Sequence, residues 1–188
     1  MPEIMVDPSR CMACRSCEVA CGINRDSVSK TVAGAFKEAM RPTPRVVVQG
    51  NESMALPVQC RHCEEAPCLD TCPTGALYRS TEDNRVLFDD NRCIGCWMCV
   101  GVCPFGAIKP NSAGKVAIKC DGCFGMERPF CVEACPTKAL AYVDVEGMRQ
   151  LSKRRAGVVV ETLLADMGSE LSPTYLRLGY SRRGGLQK

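Results

Sequence analysis

Sixteen cysteines stand in a chain of 188 residues, and their spacing sorts them into four quartets. The first is Cys11, Cys14, Cys17 and Cys21, in the pattern C-x2-C-x2-C-x3-C. The second, Cys60, Cys63, Cys68 and Cys72, widens the middle gap to four residues. The third, Cys93, Cys96, Cys99 and Cys103, repeats the first spacing, and the fourth, Cys120, Cys123, Cys131 and Cys135, opens the middle gap to seven. No cysteine is left over. Thiolates in such number suit zinc or iron–sulfur clusters. Zinc sites join two C-x2-C knuckles across a longer stretch, whereas here three or four cysteines crowd each loop. A Rieske centre needs two histidines, and His62 is the only histidine of the chain. The spacing therefore points to [4Fe–4S] clusters.

A C-x2-C-x2-C loop wraps three thiolates around one corner of a cubane, and the cysteine of the following C-x3-C-P leaves to serve the other cluster of a pair. Cys93, Cys96 and Cys99 should thus share a cluster, with Cys103 ligating its neighbour. Several nearby residues are candidates for tuning. Arg10, Arg92 and Lys119 each precede the first cysteine of a quartet, and Arg61 follows Cys60. Their charge could offset that of a cluster and raise its potential, against the plainer reading of solvated, screened strand ends. His62 could titrate near neutral pH or simply hydrogen-bond. Trp97 reads as cover over a cluster, and Gly95 and Gly122 allow close backbone approach.

The elements that must position these loops are short. Runs of β type, EIMVD, RVVVQ, RVLFD, KVAIK and LAYVD, alternate with the quartets, and turn signals such as TEDN (81–84) and PNSAG (110–114) separate them. CPTGAL, CPFGAI and CPTKAL repeat a Cys-Pro-x-x-Ala-aliphatic flank. The proline reads as the first residue of a short helix following the fourth cysteine. Cys21 departs from this, being followed by Gly22 and Ile23. Each unit then reads strand, cysteine loop, short helix, strand, an α+β ferredoxin-like module that repeats. Residues 22–55 interrupt the repeat as an insertion of loop then strand. Residues 144–188 form a tail whose EGMRQLSKRRAGVVVETLLADMG predicts an amphipathic helix with a basic first half, ending in a mobile SRRGGLQK.

Composition narrows the function classes. Aromatic residues make up 5% of the chain, too few to supply much of a core. MPEIMVDPSRC has neither the basic nor the apolar stretch of a signal peptide, and no apolar run approaches a membrane span. The expectation is a cytoplasmic protein with reduced thiols. The net charge of +3 is no nucleic-acid footprint: four clusters at about −2 each would carry it to about −5. No GxGxxG between strand and helix, no P-loop and no Gly-x-Ser-x-Gly occurs. The residues point to an electron-transfer component with no catalytic site of its own.

CMACRSCEVAC, LPVQCRHCEEAPCLDTCPTGAL, RCIGCWMCVGVCPFGAI and KCDGCFGMERPFCVEACPTKAL together resemble the four-cluster ferredoxin-like electron-transfer subunits of anaerobic oxidoreductases. That family includes the CooF-type protein of carbon monoxide dehydrogenase systems and the iron–sulfur subunits of formate dehydrogenase, formate hydrogenlyase and dimethyl sulfoxide reductase. The resemblance covers residues 4–143. It implies an α+β fold of two interlocked ferredoxin-like dicluster modules over residues 1–143: an inner module at 56–110 and an outer one at 1–21 with 111–143. It also implies four ligand sets. These are Cys60, Cys63, Cys68 and Cys103; Cys93, Cys96, Cys99 and Cys72; Cys11, Cys14, Cys17 and Cys135; and Cys120, Cys123, Cys131 and Cys21. The implied partner is a redox enzyme: carbon monoxide dehydrogenase first, then a flavin NAD(P)H oxidoreductase, a hydrogenase or a formate dehydrogenase. The tail, dispensable to a ferredoxin core, is expected to dock that partner. An assembly factor for an anaerobic metalloenzyme is the alternative from another class.

Overall fold

The computed structural model describes residues 2–51, 54–111 and 113–166. The chain divides into two units, the first being Met1–Asp144 and the second beginning at Val145. In the first unit the elements run β1 (Glu3–Val6), α1 (Ser16–Arg25), α2 (Val32–Ala35), β2 (Val47–Gly50), β3 (Ala55–Val58), α3 (Pro67–Asp70) and β4 (Leu77–Arg79). They continue with β5 (Val86–Phe88), α4 (Met98–Val102), β6 (Ile108–Pro110), β7 (Ala117–Lys119), α5 (Phe130–Glu133) and β8 (Leu140–Val143). The result is a mixed α/β fold of short strands and short helices. The five β-type runs form β1, β2, β5, β7 and β8. The strands β3, β4 and β6 are the neighbours with which β2, β5 and β7 make antiparallel hairpins.

Every described sheet has two strands. Three are local hairpins, and the fourth pairs β1 with β8, Glu3 opposite Val143 and Val6 opposite Leu140. That long-range pairing brings the first quartet to the fourth. Helix α1 packs on α5, and α3 packs on α4. Two cores result. One gathers Cys17, Cys21, Val46, Val48, Cys131, Val132, Cys135, Ala139 and Leu140. The other gathers Ala66, Leu77, Val86, Cys99, Ile108 and Ala117, with Cys63, Cys68, Cys72, Cys93 and Cys103 against it. Val46, Val48 and Ala55, from the segment read as an insertion, are part of the first core rather than a loop outside it. Two-stranded sheets are marginal in water on their own, and these cores are built largely of alanine, valine and cysteine. Much of the interior is therefore cysteine sulfur.

The repeating unit differs from the order expected. The short helix precedes the fourth cysteine instead of following it, and the third cysteine of each quartet, Cys17, Cys68, Cys99 or Cys131, is the second residue of its helix. The prolines Pro73, Pro104 and Pro136 open tight turns. Gly75 N–H donates to Cys72 O at 3.2 Å, Gly106 N–H to Cys103 O at 3.1 Å and Lys138 N–H to Cys135 O at 3.3 Å. A ring-fixed φ favours position i+1 of a turn as well as it favours a helix start, and glycine fits i+3. In the first quartet no proline follows Cys21, and α1 runs on unbroken to Arg25.

In the second unit α6 spans Val145–Asp166. It forms the expected helix but is weakly amphipathic. Val158, Val159 and Val160 are all exposed, and three consecutive residues sweep over half of a helix circumference, too wide for one stripe. The terminal SRRGGLQK lies outside the described residues. Among those residues no helix is long and apolar enough to cross a membrane.

Candidate metal centres

The cysteines come together in four groups, each drawn from two quartets. Cys11, Cys14, Cys17 and Cys135 line one cavity with Val48 and Leu140 (site 1). Cys60, Cys63, Cys68 and Cys103 line another with Val86, Phe105 and Ile108 (site 3). Cys93, Cys96 and Cys99 line a third with Cys72, Leu77, Phe88 and Trp97 (site 4). The remaining four, Cys21, Cys120, Cys123 and Cys131 (site 2), are all buried. Their mutual proximity is felt at Cys131, whose thiol is pushed above its ordinary range by burial first and then by Cys120, Cys21 and Cys123. Sites 1 and 2 share helices, since Cys17 and Cys21 both lie on α1.

The loops are shaped by backbone conformation. The residue two places after the first cysteine of every quartet has positive φ: Ala13 at 56°, His62 at 47°, Gly95 at 69° and Gly122 at 68°. For Ala13 and His62 this costs about 1–2 kcal/mol each. Left-handed residues among right-handed ones turn successive N–H groups into one concavity, the anion-binding nest of many iron–sulfur sites. The N–H of His62 reaches Cys60 Sγ at 3.4 Å, and that of Gly122 reaches Cys120 Sγ at 3.3 Å. Arg45 N–H donates to Cys21 Sγ at 3.2 Å and Ala107 N–H to Cys103 Sγ at 3.4 Å. Donors thus face sulfur from the loops and from residues 22–55.

The thiols separate by environment. Burial lifts Cys17 and Cys68 to about 11 and Cys120 to about 12. At Cys72 and Cys135 burial also pushes upward, but N–H donors (Leu77 at Cys72, Leu140 at Cys135) and the hydroxyls of Thr74 and Thr137 outweigh it and lower both. Those hydroxyls lie 3.8 Å from their sulfurs. Among the described residues, no three His, Cys, Asp or Glu side chains close on a single-ion site. Thiolates around a cubane stand farther apart than thiolates on one tetrahedral ion, so a four-cysteine cavity is the geometry to compare. Four thiols around each of three small cavities and four buried together at site 2, with N–H donors aimed at sulfur, fit a [4Fe–4S] cluster.

The tuning candidates divide. Arg10, Arg61 and Arg92 are exposed. Arg92 Nη2 donates to Thr74 O at 2.8 Å and so fastens the turn that carries Cys72. Trp97 lines the site 4 cavity and caps α4 with a φ of 63°. Lys119 is buried, 2% exposed, and its Nζ donates to Val86 O at 2.5 Å and Cys120 O at 2.7 Å. His62 Nδ1 lies 3.1 Å from the same Val86 carbonyl, which can only accept, so Nδ1 carries the hydrogen. Burial, then Lys119 and Arg85, hold His62 at about 4. The bond to Val86 favours the plain hydrogen-bonding reading of His62.

Around site 2 lie residues that spacing did not single out. Asp121 pairs with Arg25 and, at 3.1 Å, with Arg45, and its other oxygen accepts Cys123 N–H at 3.0 Å. Arg85 donates to Gly122 O at 3.1 Å and to the Tyr142 hydroxyl at 2.9 Å. The only signal for Asp121 was its place between Cys120 and Gly122; Arg25, Arg45 and Arg85 reach the site through tertiary contacts alone.

Residues 51–145 match the family described as 4Fe-4S dicluster domain. The chain is 39% identical over 158 residues to the putative electron transport protein YsaA of Escherichia coli K12, covering 82% of this chain and 98% of that protein. It is 40% identical over 162 residues to an iron-sulfur protein of Rhodospirillum rubrum, covering 78% and 84%. It is 34% identical over 157 residues to the probable anaerobic dimethyl sulfoxide reductase chain YnfG of Escherichia coli K12, covering 77% and 74%. The chain belongs to the 4Fe-4S dicluster family of iron–sulfur electron-transport proteins. Its cofactors are [4Fe–4S] clusters, and sixteen cysteines suffice for four.

Proposed function

We propose that this chain is an electron-transfer subunit that relays single electrons through four [4Fe–4S] clusters, from a catalytic partner to an acceptor or in reverse. Each cluster, when bound, supplies a reversible one-electron change between about −2 and −3. The ligand sets are those of sites 1 to 4, and the two modules interlock: residues 56–110 form the inner one and residues 1–21 with 111–143 the outer. Cys17 and Cys21 on α1, Cys68 and Cys72 at α3, Cys99 and Cys103 at α4, and Cys131 and Cys135 at α5 each tie two sites together. These ties join site 1 to site 2 and site 3 to site 4; the bond from Lys119, next to Cys120 of site 2, to Val86 O beside site 3 supports sites 2 and 3 as the neighbouring pair, giving the order 1, 2, 3, 4.

The observation that carries this reading is a gradient of exposure. Cys14 in site 1 and Cys96 in site 4 are exposed, site 3 is half-buried, and all four cysteines of site 2 are buried. Ends that reach the surface and a middle that holds the one fully buried site suit a relay. The donor sets explain how the chain holds it: N–H groups fix the sulfurs, while Val48, Leu140, Leu77 and Phe88 keep water from the cavities.

The partner we infer is a cytoplasmic redox enzyme, carbon monoxide dehydrogenase first, then a flavin NAD(P)H oxidoreductase, hydrogenase or formate dehydrogenase. A relative named as a chain of a dimethyl sulfoxide reductase supports membership of such a complex. Residues 144–188 are proposed to dock it. Anaerobic purification of the tagged chain from its own host tests this. Mature carbon monoxide dehydrogenase or a flavin oxidoreductase in stable amounts is the expected result. Chaperones alone, or an immature metal-free enzyme, would replace the relay with an assembly role.

A further inference from the structure

Lys119 stands apart from the other cations of the interior. Arg25 and Arg45 share Asp121, and Arg85 has Asp83 at 3.1 Å. Among the described residues, Lys119 has no carboxylate within ion-pair distance; its ammonium rests on the carbonyls of Val86 and Cys120. Removing an ammonium from water with only neutral dipoles for company costs several kcal/mol. A folded chain keeps such a group where a counter-charge is supplied.

The position of Lys119 identifies that counter-charge. It closes β7, so Cys120 of site 2 is its next residue. Its Nζ crosses to Val86, which lines the cavity of site 3. Opposite Lys119 in the hairpin is Ile108, which lines the site 3 cavity as well. Arg10 and Arg92, at the same place before their quartets, are exposed and screened.

Resting on the relay and ligand sets proposed above, we propose that Lys119 is a positioning charge shared by the two interior cluster sites, holding sites 2 and 3 at higher potentials than their burial alone would set. Burial in low dielectric disfavours the added negative charge of a reduced cluster, and a fixed cation between the sites offsets it. The middle of the relay stays reducible as a pair.

The test uses the full chain, loaded anaerobically, as wild type, Lys119→Gln and Lys119→Arg. The glutamine amide still donates to a carbonyl but carries no charge; arginine keeps the charge. Iron and sulfide content is counted, and the potentials are read by titration followed by electron paramagnetic resonance. In Lys119→Gln two of the four potentials fall and two stay, and in Lys119→Arg all four remain near wild type. Four unchanged potentials in Lys119→Gln overturn the proposal, as does an equal shift in both variants. If Lys119→Gln loses clusters, retention in Lys119→Arg supports the charge role, and loss from both overturns it. A wild-type chain that binds fewer than four clusters would instead refute the ligand sets, independently of Lys119.

Discussion

Sites 2 and 4 use the same kind of loop and place it in opposite surroundings. At site 4, Cys96 is exposed, Ile94 beside it is 68% exposed, and Met98 is half out of the protein. At site 2 every cysteine is buried, the nearby ion pairs are about one-fifth exposed, and Cys21 and Cys131 sit in one core with Val46, Val132 and Leu140. The difference separates two jobs of a cysteine quartet. Site 4 presents a thiolate at the surface, whereas site 2 replaces part of a hydrophobic core.

The largest expected effect follows from that division. Cys131→Ser removes a proposed ligand from the first core, where site 2 and site 1 meet through α1 and α5. Binding of a cluster is coupled to folding wherever the cluster supplies the interior. Cys131→Ser should therefore lose the clusters of sites 1 and 2, about half the iron, and unfold at markedly lower temperature. Cys96→Ser should leave three clusters and a melting transition close to wild type. Iron content alongside thermal unfolding reads both. Equal losses from the two variants would erase the comparison.

A smaller effect tests the ion pairs. Asp121→Asn leaves Arg25 and Arg45 without their shared carboxylate, in a setting where their side chains are about one-fifth exposed. The expected loss is about 3 kcal/mol in denaturant unfolding. Arg15→Gln breaks a pair whose arginine is 60% exposed, and Glu18 keeps the backbone N–H of Val48 as a donor. It should change stability by under about 0.5 kcal/mol. If both variants lose the same stability, the interior pair has no special standing.

This contrast marks what the sequence could and could not convey. Local spacing made the quartets legible, because a cluster loop is built from residues within a dozen positions of one another. The five β-type runs were legible for the same reason. The order of helix and turn was not. Proline after Cys72, Cys103 and Cys135 is compatible with either, and only the bond from residue i+3 back to the cysteine carbonyl decides it. Lys119 and Arg92 look alike in the chain, each a cation before a first cysteine, yet one is buried across from Val86 and the other is exposed. What separates them is β5, which lies more than thirty residues upstream of Lys119. The role of residues 22–55 was hidden similarly. Arg45 and Val46 acquire meaning only when β2 lies against Cys21 and Leu140.

The smallest prediction isolates backbone strain from packing. Gly95 of site 4 and Gly122 of site 2 hold the same place in their loops, with φ of 69° and 68°. A Cβ at Gly95 would meet the Lys115 carbonyl oxygen at 2.5 Å, and at Gly122 it would meet Arg85 Nη1 at 2.6 Å. The first obstacle is backbone; the second is the end of a side chain, which can withdraw by giving up its bond to Gly122 O. Gly106, in the turn after Cys103, has φ of 58° and open space where a Cβ would stand. Gly106→Ala therefore measures the cost of a left-handed residue alone, about 1 kcal/mol. Gly122→Ala should cost more, because Arg85 must move, and Gly95→Ala more again, because the β6–β7 connection must shift. Denaturant unfolding of the loaded chain ranks the three. A Gly122→Ala variant costlier than Gly95→Ala would mean that Arg85 is held as rigidly as backbone, and that site 2 owes its closure to that guanidinium rather than to burial.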